Sequence, residues 1–365
     1  MQLSLAGLPL PALRRVRIYV CGITPYDTTH VGHAATFVWI DVLTRLLRHV
    51  GLEPEVCRNI TDVDDDLVAE ATQRRLAPEA LATQQTHQFN DDMRRLRVER
   101  PSFEPQSRDY ITDVVFLARA LLDRGAAYER NGSVQFRGEA AVMAAGLDPE
   151  AALAAHAARG GRPEDPDKEH PLDAAVWQRS EPGELSWASP WGDGRPGWHA
   201  ECAAMATTVL GLSLDVHAGG EDLRFPHHLY EAAMAEAATG VSPFARSWMH
   251  IGTVTHRGEK VAKSTGNLIF LFDLLQDWPA AAIRTAIVDR PWAESWEFSS
   301  AVLERGVQRT EQLWSRAGVE VDDASATAAA LDALAADLDA PRALDIAIEA
   351  GGVTARTVGH LLAIL

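Results

Sequence analysis

The sequence predicts an α/β fold with a parallel sheet, interrupted by a helical insertion and closed by a helical bundle. Three patterns carry that expectation. A strand, a long amphipathic helix and a second strand follow one another between Arg15 and Ile60. Strand signals return at Leu212–His217 and Trp248–Val254, so the sheet is resumed after a long interruption. The remaining chain is rich in Ala and Leu at helical spacing.

Arg15 to Cys21 reads as a buried strand around the apolar run Val16 to Val20. From about Val31 to Val50 apolar residues recur at helical spacing (Ala34, Phe37, Val38, Val42, Leu46, Leu47), with Gly51 as the stop. Pro54 to Ile60 is the next strand. Ligands of a parallel sheet bind at the carboxyl ends of its strands, where Cys21 and Thr61 fall. Val68 to Leu153 is mostly helical with a hairpin candidate at Ala127–Phe136, and Arg159 to Pro171 is a polar Gly/Pro-rich loop. Four regions are expected: 1–67, the first half of a Rossmann-type domain; 68–195, a mainly helical insertion; 196–278, the second half with a lysine loop; and 279–365, a helical bundle.

With 365 residues, 47% hydrophobic, the chain can bury a substantial core. Three cysteines (Cys21, Cys57, Cys202) are too few for a disulfide framework and point to a reducing, cytoplasmic setting. An apolar N-terminal patch precedes Arg14, Arg15 and Arg17 and is broken by Pro9 and Pro11, which argues against a signal peptide; no later run is long enough to span a bilayer. The formal charge of −17 opposes broad contact with nucleic acid. Arg94, Arg95, Arg97 and Arg100 are interleaved with Asp91, Asp92 and Glu99, so they read as a solvated helix face.

Three constellations carry chemistry. Cys21, Cys202 and the pair His227-His228 are scattered as ligands from different strand ends would be, and Glu231 lies one helical turn after His227. Two thiolates, an imidazole and a carboxylate suit zinc; the same spacing also suits two core cysteines and a capping histidine. His30-Val31-Gly32-His33 stands after a strand at a helix start, where two imidazoles and free backbone N–H groups can face the α-phosphate of a nucleotide. Gly258 to Asn267 places Lys260 and Lys263 three apart between glycines, as a loop folding over a triphosphate would. Alone, such a loop is more often simply solvated. Asp62, Asp64 and Asp66 imitate a calcium loop, but Leu67 stands where Gly is needed and Gln73 where Glu is needed; an acidic helix start fits better.

The histidine pair and lysine pair resemble the HIGH and KMSKS elements of class I aminoacyl-tRNA synthetases. Four blocks resemble the cysteinyl branch: Tyr19-Val-Cys-Gly-Ile-Thr, Arg58-Asn-Ile-Thr-Asp-Val-Asp-Asp, Pro196-Gly-Trp-His-Ala-Glu-Cys202 and His217-Ala-Gly-Gly-Glu-Asp-Leu-Arg-Phe-Pro-His-His. The resemblance implies a class I synthetase fold, a zinc ion on Cys21, Cys202 and His227 with Glu231 as candidate fourth ligand, and activation of cysteine by Mg-ATP. His30, His33, Lys260 and Lys263 then carry catalysis. Gly22, Ile23, Thr24, Thr36, Asn59, Ile60, Thr61, Trp198, His217, Gly220, Glu221, Asp222, Val254 and Ser264 then surround the nucleotide and cysteinyl-adenylate. Among these, Trp198, Thr61 and His217 line the amino-acid pocket and Asp222 receives the α-ammonium.

A finer resemblance is to the mycothiol-pathway ligases that join cysteine to glucosaminyl-inositol. Gly22 to Ala35 resembles their first signature, and Arg159-Gly-Gly-Arg-Pro163 their second, Glu-Arg-Gly-Gly-Asp-Pro. About a hundred residues follow the lysine loop, short for an added anticodon-binding module. The implied acceptor is therefore a small-molecule amine, most readily an aminosugar, with tRNA disfavoured, no membrane partner, and a monomer or homodimer as the active form. Three departures stand out: Ala158 replaces Glu and Arg162 replaces Asp in the second signature, and Val261-Ala262 replaces Met-Ser in the lysine loop. They leave open another amine acceptor, or a catalytically silent relative that keeps only the fold.

Overall fold

The computed structural model describes residues 3–10, 13–26, 29–261 and 266–365. A two-stranded hairpin, β1 (Ser4–Leu5) and β2 (Leu8–Pro9), leads into β3 (Arg15–Ile23), α1 (Val31–His49) and β4 (Glu53–Ile60). After the insertion the sheet resumes with β9 (Leu214–Gly220) and β10 (Ala245–Ile251), giving the parallel order β10-β9-β3-β4. Ile18 stands in register with both Val216 and Val56, so β3 is central and its apolar residues are covered on both sides.

Strand β3 is irregular at its carboxyl end, where its pairing with β4 shifts between Val20 and Ile23. The irregularity falls at Cys21-Gly22, the start of the first motif. A Cβ on Gly22 would stand 1.7 Å from the Asn59 carbonyl oxygen, so only glycine lets the two strands approach this closely. Bulges re-aim side chains next to sites, and this one bears on Cys21.

The insertion begins with α2 (Asp65–Arg74), capped by Asp64, which accepts from the Leu67 N–H as an acidic helix start should. It continues with α3 (Pro78–Arg95), α4 (Ile111–Asp123), β5 (Ala127–Arg130), β6 (Ser133–Phe136), α5 (Gly138–Ala144), α6 (Pro149–Ala157), β7 (Ala174–Arg179) and β8 (Gly194–Pro196). The expected hairpin is β5-β6, but it is half of a four-stranded antiparallel sheet, β5-β6-β7-β8. The stretch 68–195 is thus mixed α and β, and an edge drawn at residue 195 cuts β8. A separate apolar cluster around Val114, Leu121, Val134 and Trp177 holds its α4 to β7 part together and takes in Tyr230 and Met234, whereas Phe89 and Met93 of α3 pack in the cluster of the parallel sheet.

Helix α7 (Trp198–Leu210) precedes β9, and α8 (Leu229–Thr239) follows it. Beyond β10 come β11 (Val254–His256), β12 (Glu259–Lys260), α9 (Leu271–Asp277), α10 (Ala280–Val288), β13 (Trp296–Glu297), α11 (Ser300–Ala317), α12 (Ala324–Ala335), α13 (Ala340–Ala350) and α14 (Gly352–Leu361). The final helices are as expected; β13, which pairs parallel with β11, is an addition. Their Ala and Leu faces join the apolar cluster of β3 and α1 without a break, Leu313, Ala343 and Ile364 packing in the same cluster as Ile18 and Val38. Arg284, fully buried in α10, ties this seam through Asp41 of α1 and the backbone oxygens of Leu96 and Leu362.

No described helix is long and apolar enough to cross a membrane.

Candidate active site

One cavity of about 340 Å³ opens at the carboxyl ends of β3, β4, β9 and β10. Two motifs more than two hundred residues apart meet there because the backbone pins them together. Val31 donates to Ile269 O at 2.9 Å and Leu271 donates to Thr29 O at 2.8 Å, so the segment after the lysine loop lies against the start of α1.

His30 caps α1, its Nδ1 accepting the Gly32 N–H at 3.1 Å. Its ring stacks on His33 with centroids 3.8 Å apart. Burial pushes His30 well below the ordinary histidine range and His33 down to about 4, with Lys260 adding to both and Asp222 opposing at His33. Both are therefore neutral at pH 7, able to donate one hydrogen bond each to a phosphate without bringing charge. The His33 Nδ1 is buried with no partner among the described residues.

Positive charge comes from Lys260, whose Nζ donates to Asp222 Oδ2 at 2.7 Å. Arg159, from the insertion loop, stands 3.7 Å from the same oxygen. Lys263 and Ser264 lie outside the described residues.

Cys21, Cys202 and His227 line the floor of the cavity, and with the fully buried Glu231 they present ligand atoms that all lie within 4.8 Å of one another. Cys21 Sγ donates to Glu231 Oε2 at 3.8 Å, and His227 Nε2 is 3.9 Å from that oxygen. Each polar ligand is held from behind. His199 Nδ1 faces His227 Nδ1 at 2.9 Å, His217 Nε2 faces Glu231 Oε1 at 2.9 Å, and Asn59 Nδ2 donates to Cys202 Sγ at 3.4 Å. Trp198 stacks on the His227 ring, centroids 4.1 Å apart. Burial pushes the Cys21 thiol and Glu231 carboxyl well up, Cys202 adding at Cys21 and the hydrogen bond from Cys21 opposing at Glu231. Burial likewise pushes His227 well down. Two sulfurs, an imidazole nitrogen and a carboxylate, buried and oriented by further hydrogen bonds, form a donor set that fits a divalent metal ion.

Gly22, Ile23, Thr24, Thr36, Asn59, Thr61, Trp198, Gly220, Asp222 and Val254 line the cavity, as do His30, His33 and Lys260. Three expected residues do not. Ile60 points into the apolar core, because neighbouring side chains of a strand alternate and Asn59 and Thr61 take the cavity side. His217 is fully buried beneath the cluster and supports Glu231. Glu221 pairs with Arg224 through two 2.9 Å bonds at the surface side of the turn. Tyr26, Ile251, Gly252, Thr253 and Leu268 line the cavity without having been singled out. His199 is a further residue of the site, and its sequence signal is its place three residues before Cys202 on the same helix.

The family of tRNA synthetases class I (C) catalytic domain matches residues 10–308. The L-cysteine:1D-myo-inositol 2-amino-2-deoxy-alpha-D-glucopyranoside ligase of Acidothermus cellulolyticus is 44% identical, over 90% of this chain and 82% of that protein. The ligase of the same description from Streptomyces griseus is 40% identical, over 95% and 90%. Among solved structures, Mycobacterium tuberculosis methionyl-tRNA synthetase bound by methionyl-adenylate covers 95% of this chain and 84% of its own with a TM-score of 0.66 at 15% identity. A putative arginyl-tRNA synthetase from Campylobacter jejuni covers 96% and 84% with a TM-score of 0.55 at 14% identity, and both likenesses are of fold. The chain is a ligase belonging to the class I (C) tRNA synthetase catalytic-domain family, in the group of its cysteine:aminoglucosyl-inositol ligase relatives.

Proposed function

We propose that this enzyme activates L-cysteine with Mg-ATP as cysteinyl-AMP and transfers the cysteinyl group to the amine of 2-amino-2-deoxy-glucosyl-inositol, the amide-forming step of mycothiol biosynthesis. The observation that carries the reading is the single cavity in which a Cys21/Cys202/His227/Glu231 cluster faces His30, His33 and Lys260. The names of the relatives at 40–44% identity support the acceptor.

In this reading the four clustered residues hold Zn2+, which when bound favours a thiolate over a hydroxyl and so selects cysteine over serine. Trp198 and Thr61 close the side-chain pocket, and Asp222 exchanges its bond to Lys260 for the substrate ammonium. The cysteine carboxylate oxygen attacks the α-phosphorus, the bond to the bridging oxygen breaks, and pyrophosphate leaves. Neutral His30 and His33 donate to the phosphate oxygens, and Lys260, released from Asp222, meets the charge that grows on pyrophosphate. In the second step the amine nitrogen attacks the acyl carbon, AMP leaves, and the amine gives up its proton.

The signature departures bear on the acceptor. Arg159, unchanged, reaches Asp222, whereas Arg162 turns to Gln178 Oε1 at 2.6 Å and does not line the cavity. Ala158 caps α6. This arrangement supports the same acceptor class despite the changed residues. The net charge of −17 supports a small acceptor over tRNA. Cysteine-dependent ATP–pyrophosphate exchange tests the first half; no exchange by metal-loaded protein would sink it. Mass analysis of products formed from cysteine, ATP and the aminoglucosyl-inositol tests the second, and an amide appearing only with a different amine would replace this acceptor.

A further inference from the structure

Asn59 lies between the two cysteines of the cluster, and both ends of its carboxamide are engaged. Oδ1 accepts the Gly22 N–H at 2.9 Å, and Nδ2 stands 3.4 Å from Cys202 Sγ. The chemistry fixes which end is which. A backbone N–H can only donate, so the amide oxygen must face Gly22, and the NH2 is left to face sulfur. The side chain is 1% exposed, so neither contact competes with bulk water.

The two contacts reach two different supports. Gly22 belongs to the irregular end of β3 that carries Cys21, packed so tightly on β4 that a Cβ would meet the Asn59 carbonyl at 1.7 Å. Cys202 is carried by α7. Strand β3 and helix α7 are far apart in sequence, and the Asn59 side chain spans the gap between them beside the cavity.

We propose that Asn59 is a positioning residue for the metal centre: it holds the Gly22 irregularity that aims Cys21 and donates an N–H···S hydrogen bond to the Cys202 thiolate. The inference rests on the reading that Cys21, Cys202, His227 and Glu231 hold a metal ion. A hydrogen bond to a ligating sulfur stabilises the deprotonated ligand and sets its direction, the role His199 and His217 fill for His227 and Glu231. With Asn59 added, each of Cys202, His227 and Glu231 has one such partner.

The test is Co2+ titration of metal-stripped wild type, Asn59→Ala and Asn59→Asp, read by thiolate-to-cobalt charge-transfer absorption and by competition with a chromophoric chelator. Both variants are expected to bind about 10- to 100-fold more weakly, with a displaced charge-transfer band. Asn59→Asp keeps the acceptor for Gly22 and sets a carboxylate oxygen in place of the donor to sulfur, so its loss reads the contact with Cys202 apart from the one with Gly22; being nearly isosteric, it also carries the test where Asn59→Ala does not fold. Wild-type affinity and band position in Asn59→Asp would overturn the proposal, even with a lowered thermal stability of the metal-free protein. Failure of wild type itself to take up Co2+ would instead overturn the metal reading, and this inference with it.

Discussion

Lys260 and Asp222 form an ion pair at 2.7 Å, with Arg159 3.7 Å from the same carboxylate oxygen. A segment beyond the sheet, the turn after β9 and the insertion loop therefore converge on one carboxylate at the cavity wall. The pairing separates two roles by substitution. Lys260→Ala is expected to lower the exchange rate by roughly 10²-fold with little change in the KM for cysteine, since the charge it offers matters most as pyrophosphate departs. Asp222→Asn is expected to raise the KM for cysteine by roughly tenfold or more, the scale of a hydrogen bond to a charged group. Steady-state exchange kinetics distinguish them; the two variants showing one and the same defect would contradict this division.

Removal of one sulfur should affect selectivity as well as rate. Cys202→Ser is expected to lower the zinc content of the purified protein and shrink the preference for cysteine over serine, measured by metal analysis and by paired exchange assays. Undiminished discrimination in a zinc-depleted variant would place the selection elsewhere in the pocket.

His156 gives a pH dependence with a definite sign. Burial pushes it down to about 4, Lys168 adding to the effect. Both ring nitrogens are buried without partners among the described residues. Because the folded state disfavours the proton that the unfolded chain accepts near 6.5, stability is retained above that value and lost as pH falls toward 4. Asp64, pushed up to about 6 by burial, works in the opposite direction over part of this range. The stability advantage of wild type over His156→Gln should therefore shrink between pH 7 and about 4.5 in denaturant titrations. An advantage independent of pH would show that His156 takes up its proton as readily in the folded protein as in the unfolded chain.

Arg284→Met should destabilise the protein by about 3 kcal/mol or more, the cost of dismantling a fully buried charge pair. The partners left behind are Asp41, which keeps Arg45 at 2.8 Å, and the backbone oxygens of Leu96 and Leu362, which lose their donor. Guanidinium unfolding midpoints measure it; a neutral result would mean that Met fills the space well enough to offset the lost bonds.

Much of the site could be read from the sequence. Alone, the thiols suit core packing and the lysine loop a solvated turn; the blocks resembling class I synthetases made Cys21, Cys202, His30, His33 and Lys260 legible together, and the β3-α1-β4 pattern placed Cys21, His30 and His33. Direction within a strand was harder. Ile60 and His217 belong to motif blocks, but alternation turns one into the core and burial puts the other beneath the cluster. The sheet of the insertion is not legible in the sequence because β8 spans three residues, ends in proline and gains its strand character by pairing with β7. Arg284, one cation in an apolar helix, gave no sign of a partner 243 residues away.

The unbroken cluster that joins the sheet to the final helices has a thermodynamic meaning of its own. Where apolar contacts run continuously, partial opening exposes surface on both sides of the break, so β3 and α14 should exchange their amide hydrogens with the same free energy, as one cooperative unit. The second cluster joins α4 to β7 of the insertion with Tyr230 and Met234 of α8, so opening there exposes α8 as well and forms a second cooperative unit.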